Sequence, residues 1–368
     1  MKRLKCAFAM TLACSASSFV LSGQDAGQGA PAPVTTALPR QIKVSGLVDG
    51  YYSLNFNHPS SGANLYRNFD VKANQFSLNM AKLTVEQSPE PVGFKVDFGF
   101  GRAFDLFHAT EPGGDILNWV PQAYVSVRPK QLNGTQIDFG KFYTSAGAEP
   151  TETHLNWNYS RSLIYANGPY YHFGMRVTQP LTSNFAVGFQ LLNGWNNVED
   201  NNSGKTIALT SALTTSKVSW FNHYSTGPEK TGVNKGFRNF YDTVLLLTPN
   251  EKANFYLNYD YGTEKILGAG SNDWVAVAGA ARFDLGRGWA VSPRLEYYYD
   301  KDGFITGTAQ KIKEFTLTGE YKMADGLISR LEYRRDWSDQ PVFERGTGGA
   351  FKNQTTLLFG VVATFGME

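Results

Sequence analysis

From residue 41 onward the chain alternates between apolar and polar positions. Ile42, Val44, Val48, Tyr52, Leu54 and Phe56 share one parity, and Lys43, Ser45, Asp49, Tyr51, Ser53 and Asn55 share the other. Successive side chains of a strand point to opposite faces, so this run is a strand with one apolar and one polar face. The same split recurs in Val92-Phe94-Val96-Phe98-Phe100 against Lys95 and Asp97, and in Phe185-Val187-Phe189-Leu191 against Gly188 and Gln190. It returns in Phe255-Leu257-Tyr259-Tyr261 against Asn254, Asn258 and Asp260, and in Leu331-Tyr333 against Arg330, Glu332, Arg334 and Asp336. Near the end, Leu357, Phe359, Val361, Ala363 and Phe365 fall together. About sixteen such segments are expected: 41–56, 75–87, 92–101, 119–129, 134–143, 170–179, 184–193, 205–214, 216–225, 237–248, 252–262, 273–285, 288–300, 311–323, 327–337 and 352–365. Segments 75–87 and 273–285 alternate imperfectly, and Met80-Ala81 marks a parity change of the kind a β-bulge produces.

Helical periodicity is absent almost everywhere. Beyond residue 22 no run approaches the roughly 20 apolar residues of a membrane-spanning helix; the longest candidates there are Trp274–Ala281 and Val244–Leu247. The connections alternate between long and short. Long ones lie near 57–74, 102–118, 144–169, 194–204, 226–236, 263–272, 301–310 and 338–351. Short ones lie near 88–91, 130–133, 180–183, 215, 249–251, 286–287 and 324–326. Long loops at one end and tight turns at the other are the asymmetry of an all-β, antiparallel up-and-down transmembrane β-barrel, with long extracellular loops and short periplasmic turns. An even strand number places both termini on the turn side. Aromatic clusters at strand ends, such as Tyr51-Tyr52, Tyr170-Tyr171 and Tyr297-Tyr298-Tyr299, fit interfacial girdles. A soluble sandwich would not bury Arg330, Glu332, Arg334 and Asp336 on one strand face.

Composition narrows the picture. Of 368 residues, 18% are charged and 14% aromatic, which excludes a disordered chain. A formal charge of +2 with no basic stripe gives no nucleic-acid partner. Residues 1–22 read as a secretory signal, with Lys2, Arg3 and Lys5 before a short apolar stretch and a cut near Ser22. A lipoprotein signal ending at Cys14 is the rival reading. Residues 23–39, rich in Gly, Ala, Pro and Thr, form a flexible periplasmic leader, and 40–368 is the barrel domain. Removal of the signal takes three cations and both cysteines, leaving 31 basic against 32 acidic residues and a cysteine-free chain.

Catalytic and cofactor motifs are missing. Gly204-Lys205-Thr206 lacks the upstream glycine of a phosphate loop, since position 199 is Glu. Asp200-Asn201-Asn202-Ser203-Gly204 has its glycine one position too early for a calcium loop; weak cation binding competes with a solvated turn. The five histidines show no metal spacing, and no Gly-x-Ser-x-Gly elbow occurs. The chain is therefore read as a non-enzyme without cofactor or metal.

Function then belongs to the lumen, because a closed barrel of this strand number is wide enough for an aqueous channel. Parity points inward Lys43, Lys95, Arg128, Arg176, Arg294, Arg330 and Arg334, with Asp49, Asp97, Asp138, Glu296, Glu320, Glu332 and Asp336. Charged clusters of this kind set selectivity, or neutralise one another and stiffen the wall.

Several stretches carry a family likeness: Phe76-Ser77-Leu78-Asn79, Gly140-Lys141-Phe142-Tyr143, Asn158-Tyr159-Ser160-Arg161-Ser162, His172-Phe173-Gly174-Met175-Arg176, and Leu192-Asn193-Gly194-Trp195-Asn196 with Asp200-Asn201-Asn202. In order and spacing, over about residues 40–368, the chain resembles the OmpL-like putative β-barrel porin family of Gram-negative outer membranes. The resemblance implies a channel in outer-membrane lipid with passive flux and no cofactor. In porins of this strand number the third long loop folds inward, so segment 144–169 would place Glu149 and Glu152 against the basic wall as a constriction. A homotrimer is the assembly implied by analogy, although no outward patch stands out as less apolar. Many such barrels end on an aromatic residue, whereas here Phe365 is followed by Gly366-Met367-Glu368.

The reading is a porin for passive diffusion of small hydrophilic solutes or ions, narrowed by 144–169. The alternative is a non-conducting outer-membrane barrel acting as adhesin, receptor or structural anchor, its lumen plugged by that same segment.

Overall fold

The computed structural model describes residues 41–109, 111 and 116–366. The expected signal segment, the leader and the final two residues lie outside these. The strands in chain order are β1 (Lys43–Asn55), β2 (Gln75–Gln87), β3 (Val92–Phe100), β4 (Gln122–Val127), β5 (Gln136–Tyr143) and β6 (Tyr171–Pro180). They continue with β7 (Phe185–Leu192), β8 (Thr206–Thr214), β9 (Val218–Gly227), β10 (Arg238–Asn250), β11 (Ala253–Lys265) and β12 (Ser271–Gly286). The rest are β13 (Trp289–Asp300), β14 (Gln310–Ala324), β15 (Leu327–Ser338), the hairpin β16 (Phe343–Arg345) and β17 (Gly349–Phe351), and β18 (Asn353–Phe365). All but the hairpin pair antiparallel with their chain neighbours, and β18 pairs with both β15 and β1, closing a sixteen-strand barrel. Closure leaves no strand edge, which a wall in hydrocarbon requires.

The inside and outside have the polarity of a membrane barrel. Phe76, Leu285 and Leu295 on the outer face are 84%, 66% and 61% exposed, while Arg334 and Asp336 inside are 0% exposed. That reverses the soluble pattern, in which charge goes outside, and supplies an apolar belt. No helix among the described residues is long and apolar enough to cross a membrane.

The strands fall close to the alternation, with informative exceptions. β4 is shorter than 119–129, because Pro121 and Pro129 bracket it and neither can donate to a ladder. The connection 338–351 holds a hairpin of its own. The parity change in β2 is a bulge: Asp49 pairs with Met80 and Gly50 with Leu78, which leaves Asn79 without an opposite residue. Two short helices, α1 (Arg102–Phe107) and α2 (Leu163–Asn167), sit in long connections. β12 alternates poorly because both faces are apolar: its inward Trp274, Ala276, Ala278 and Ala280 pack on a buried cluster inside the barrel. One expectation is overturned on the outer wall. Pairing aligns Ser211, Asn222 and Thr243 into a polar row across β8, β9 and β10, so one outward patch is distinctly less apolar.

Candidate functional site

The connection between β5 and β6 turns back into the barrel. Its residues Ala146, Ala148, Trp157, Leu163 and Ile164 share an apolar cluster with wall residues Phe221, Val244, Leu246, Ala276, Ala278 and Ile312. Small inward alanines on β12 leave the room this segment occupies.

The opposite side of the segment is held by charge. Arg294 on β13 meets Glu149 at 2.6 Å, Glu296 at 3.2 Å and Glu314 at 3.3 Å, and donates to the Ser160 carbonyl at 2.8 Å. Glu149 also accepts from the Ser162 amide at 2.6 Å. Glu332 on β15 accepts the amides of Tyr159 and Ser160 at 2.6 and 3.0 Å. Glu296 accepts the amides of Leu163 and Ile164 at the start of α2, where unpaired N–H groups favour a carboxylate. Arg330 donates to the carbonyls of Thr153, Asn156 and Asn158 and pairs with Glu320 at 2.8 Å. Arg334 donates to the Arg161 carbonyl and to Ser160 Oγ at 3.1 Å, and pairs with Asp336 at 2.9 Å. Glu152 pairs with Lys82, which also meets Asp97 at 3.0 Å.

Each expected site residue therefore has a definite place. Glu149, Glu152, Arg294, Arg330, Arg334 and Glu332 come together at the contact between segment and wall. Arg176 is on the wall of β6, paired with Asp138 at 2.7 Å and lying over the Phe142 ring at 4.5 Å. Arg128 lies just past β4 at the short-turn end, donating to Gln136 at 2.7 Å, away from the segment. The acidic loop residues do not face the arginines across open water: Arg294, Arg330 and Arg334 are 0–1% exposed, and opposite charges touch. Desolvation explains this. A bare buried guanidinium would be very costly, so each is paired or bonded to carbonyls.

Sequence reasoning missed Lys82, Glu314 and Arg161. Lys82 lies just beyond the bulge, and carrying the parity change through would have turned it inward. Glu314 sits on a strand whose outer face also carries Lys311 and Lys313, so its parity gave no contrast. Arg161 is fully buried in the segment, bonded to the Tyr159 and Thr151 carbonyls and lying over the Phe69 ring at 5.1 Å. His154 is held down to about 4 by burial, opposed by nearby Glu152 and assisted by Lys82, Arg330 and Arg161.

The remaining sequence candidates are turns. Asp200 caps the Asn202 amide and pairs with Lys205, which occupies its carboxylate. Among the described residues no group of three or more His, Cys, Asp or Glu is arranged to hold a metal.

Residues 41–365 match the family profile described as "Putative beta-barrel porin-2, OmpL-like". No curated protein matches the chain. Among solved structures the fold is similar to a trimer form of OmpT, an outer membrane protein of Vibrio cholerae, at 13% identity and TM-score 0.60, covering 88% of this chain and 99% of that one. It is also similar to an anion-selective porin from Comamonas acidovorans (12% identity, TM-score 0.59, 88% and 99% covered). A third is Salmonella typhi OmpF in complex with daunomycin (12% identity, TM-score 0.60, 89% and 98% covered).

Proposed function

Because the chain belongs to the OmpL-like β-barrel porin family, we propose that it is an outer-membrane porin for passive diffusion of small hydrophilic solutes or ions, exported by a cleaved signal segment and assembled as a homotrimer. The observation that carries this is the charged inner wall of a closed barrel with segment 144–169 folded against it. In this reading Arg294, Arg330, Arg334 and Glu332, with Glu149 and Glu152 of the segment, are the constriction. Arg176 and Arg128 line the path towards the short-turn end. Fixed charges of both signs then sort solutes by charge and dipole.

Single-channel recording of the refolded protein in a planar bilayer, with reversal potential under a KCl gradient, tests it. Stable steps are expected. Silence from a barrel shown to be folded by circular dichroism would sink the open-porin reading.

One observation favours the second reading, a barrel plugged at rest. The wall arginines at the segment are almost wholly buried. That reading expects silence from the wild type and steps from a variant in which the docking is weakened, such as Glu149→Gln with Glu332→Gln.

A further inference from the structure

Near mid-height, β8, β9 and β10 depart from the polarity of the rest of the wall. Inside, Phe221, Val244 and Leu246 are apolar, and the in-folded segment accounts for that, since they bury against it. Outside, Ser211 lies opposite Asn222, and Asn222 opposite Thr243, in one row across three strands. The row crosses mid-strand: the sixth of nine residues in β8, the fifth of ten in β9 and the sixth of 13 in β10. About ten tilted residues cross a bilayer, so these side chains lie at hydrocarbon depth. On other strands the comparable outward positions are apolar, as at Phe98, Leu257, Val277, Leu295, Leu331 and Phe359.

The row is built rather than scattered. Asn222 Nδ2 donates to Ser211 Oγ at 3.2 Å, and Tyr241 and Thr243 both donate to Asn222 Oδ1 at 2.9 Å. Trp220 Nε1 donates to Thr243 Oγ1 at 2.9 Å. The bonds hold the polar groups in fixed orientation, yet the second Asn222 amide proton and the Ser211 hydroxyl proton remain available. Around the row stand Leu209, Trp220, Tyr224 and Leu247, 38–55% exposed. Oriented donors and acceptors within an apolar belt are what a contact between membrane-embedded segments uses.

We infer that a second copy of this chain packs against the outer face of β8–β10, with the row Ser211–Asn222–Thr243 at the contact. The occupant must reach mid-bilayer, must offer donors and acceptors at that depth, and must accompany the chain wherever it inserts. Lipid tails offer neither donor nor acceptor, and a soluble partner cannot reach the row. The same row on another copy meets all three needs, and on a symmetry axis it meets itself. Polar side chains between membrane segments act as such glue, because the alternative is hydrocarbon. The inference rests on the outer-membrane reading and names the assembly face for it.

The test compares wild type with the Ser211→Leu, Asn222→Leu, Thr243→Val triple variant by native mass spectrometry in mild detergent. An oligomer is expected for the wild type and a monomer for the variant, with unchanged β circular dichroism. Leucines suit a lipid-facing wall, so the variant should fold. If it does not, Asn222→Cys in the otherwise cysteine-free residues 23–368 replaces it, treated with a short bismaleimide. Covalent dimers are then expected, with none from Phe359→Cys on a distant strand. A monomeric wild type, an oligomeric triple variant, or labelled Asn222→Cys without cross-links overturns the inference. The porin reading fails separately, by silence in the bilayer; a conducting monomer would sink this face alone.

Discussion

Arg294 is the most heavily paired of the wall groups that hold the segment in the barrel. Arg294 is fully buried among Glu149, Glu296 and Glu314, and its removal would strand three acidic groups away from water. Breaking a buried pair from one side costs about 3–5 kcal/mol, far above a surface pair. Arg294→Met should therefore lower the urea unfolding free energy by about that amount; a loss below about 1 kcal/mol, the surface-pair range, would show that the cluster is not an anchor. His154 makes a second expectation. Its folded value of about 4 lies below the ordinary 6.5, so the undocked chain binds a proton that the docked one refuses. Stability is fully present above about pH 6.5 and declines as pH falls towards 4, with no further loss from this group below that. Urea midpoints measured across that window should fall less steeply for His154→Gln than for wild type. At this scale the charged wall was legible, because parity turned Arg294, Arg330, Arg334 and Glu332 inward. Which charge of the segment meets which charge of the wall was not legible, because Glu149 and Arg294 are 145 positions apart and Glu152 and Lys82 are 70 apart.

Strands were the most legible elements, since alternation is local and every turn of parity shows in the sequence. Helices α1 and α2 were not, because six and five residues are too short to show a helical period. The in-fold of the β5–β6 connection is supported by elements that leave space for it. Gly360 on β18 is one. A Cβ placed there would collide with the Tyr159 ring, whose hydroxyl donates to Asp49 on the adjoining strand β1 at 3.1 Å. Gly360→Val should displace Tyr159 and loosen the segment without opening the barrel. Limited proteolysis should then cut within 150–165 while β circular dichroism is retained; a segment as resistant as in wild type would refute this account of the glycine. The alanines of β12 serve the same end, and they are why that strand alternated badly.

For the whole molecule, closure and charge act together. A sixteen-strand barrel encloses a lumen by geometry, and the segment subdivides it. If the segment's carboxylates set the sign of the local field, Glu149→Gln with Glu152→Gln should shift the KCl reversal potential towards anion preference. An unchanged reversal potential would place selectivity elsewhere on the wall. Association through β8–β10 belongs to this scale as well. Its polar row could not be picked out from any one strand, where Ser211, Asn222 and Thr243 are single interruptions in otherwise ordinary patterns.

The amino-acid order carried the barrel, its strand number, its alternation of long and short connections and most of the inward charges. Each of these follows from periodicity along the chain, which needs no knowledge of neighbours. Folding settled the rest: the segment's path through the lumen, the pairing of Arg294 with three carboxylates, the inward turn of Lys82 past the Asn79 bulge, and the alignment of a polar row outside. These depend on register between strands and on the burial of opposite charges together. Both are set by which residues meet across the barrel, and the desolvation that enforces the pairing exists only once the barrel has closed.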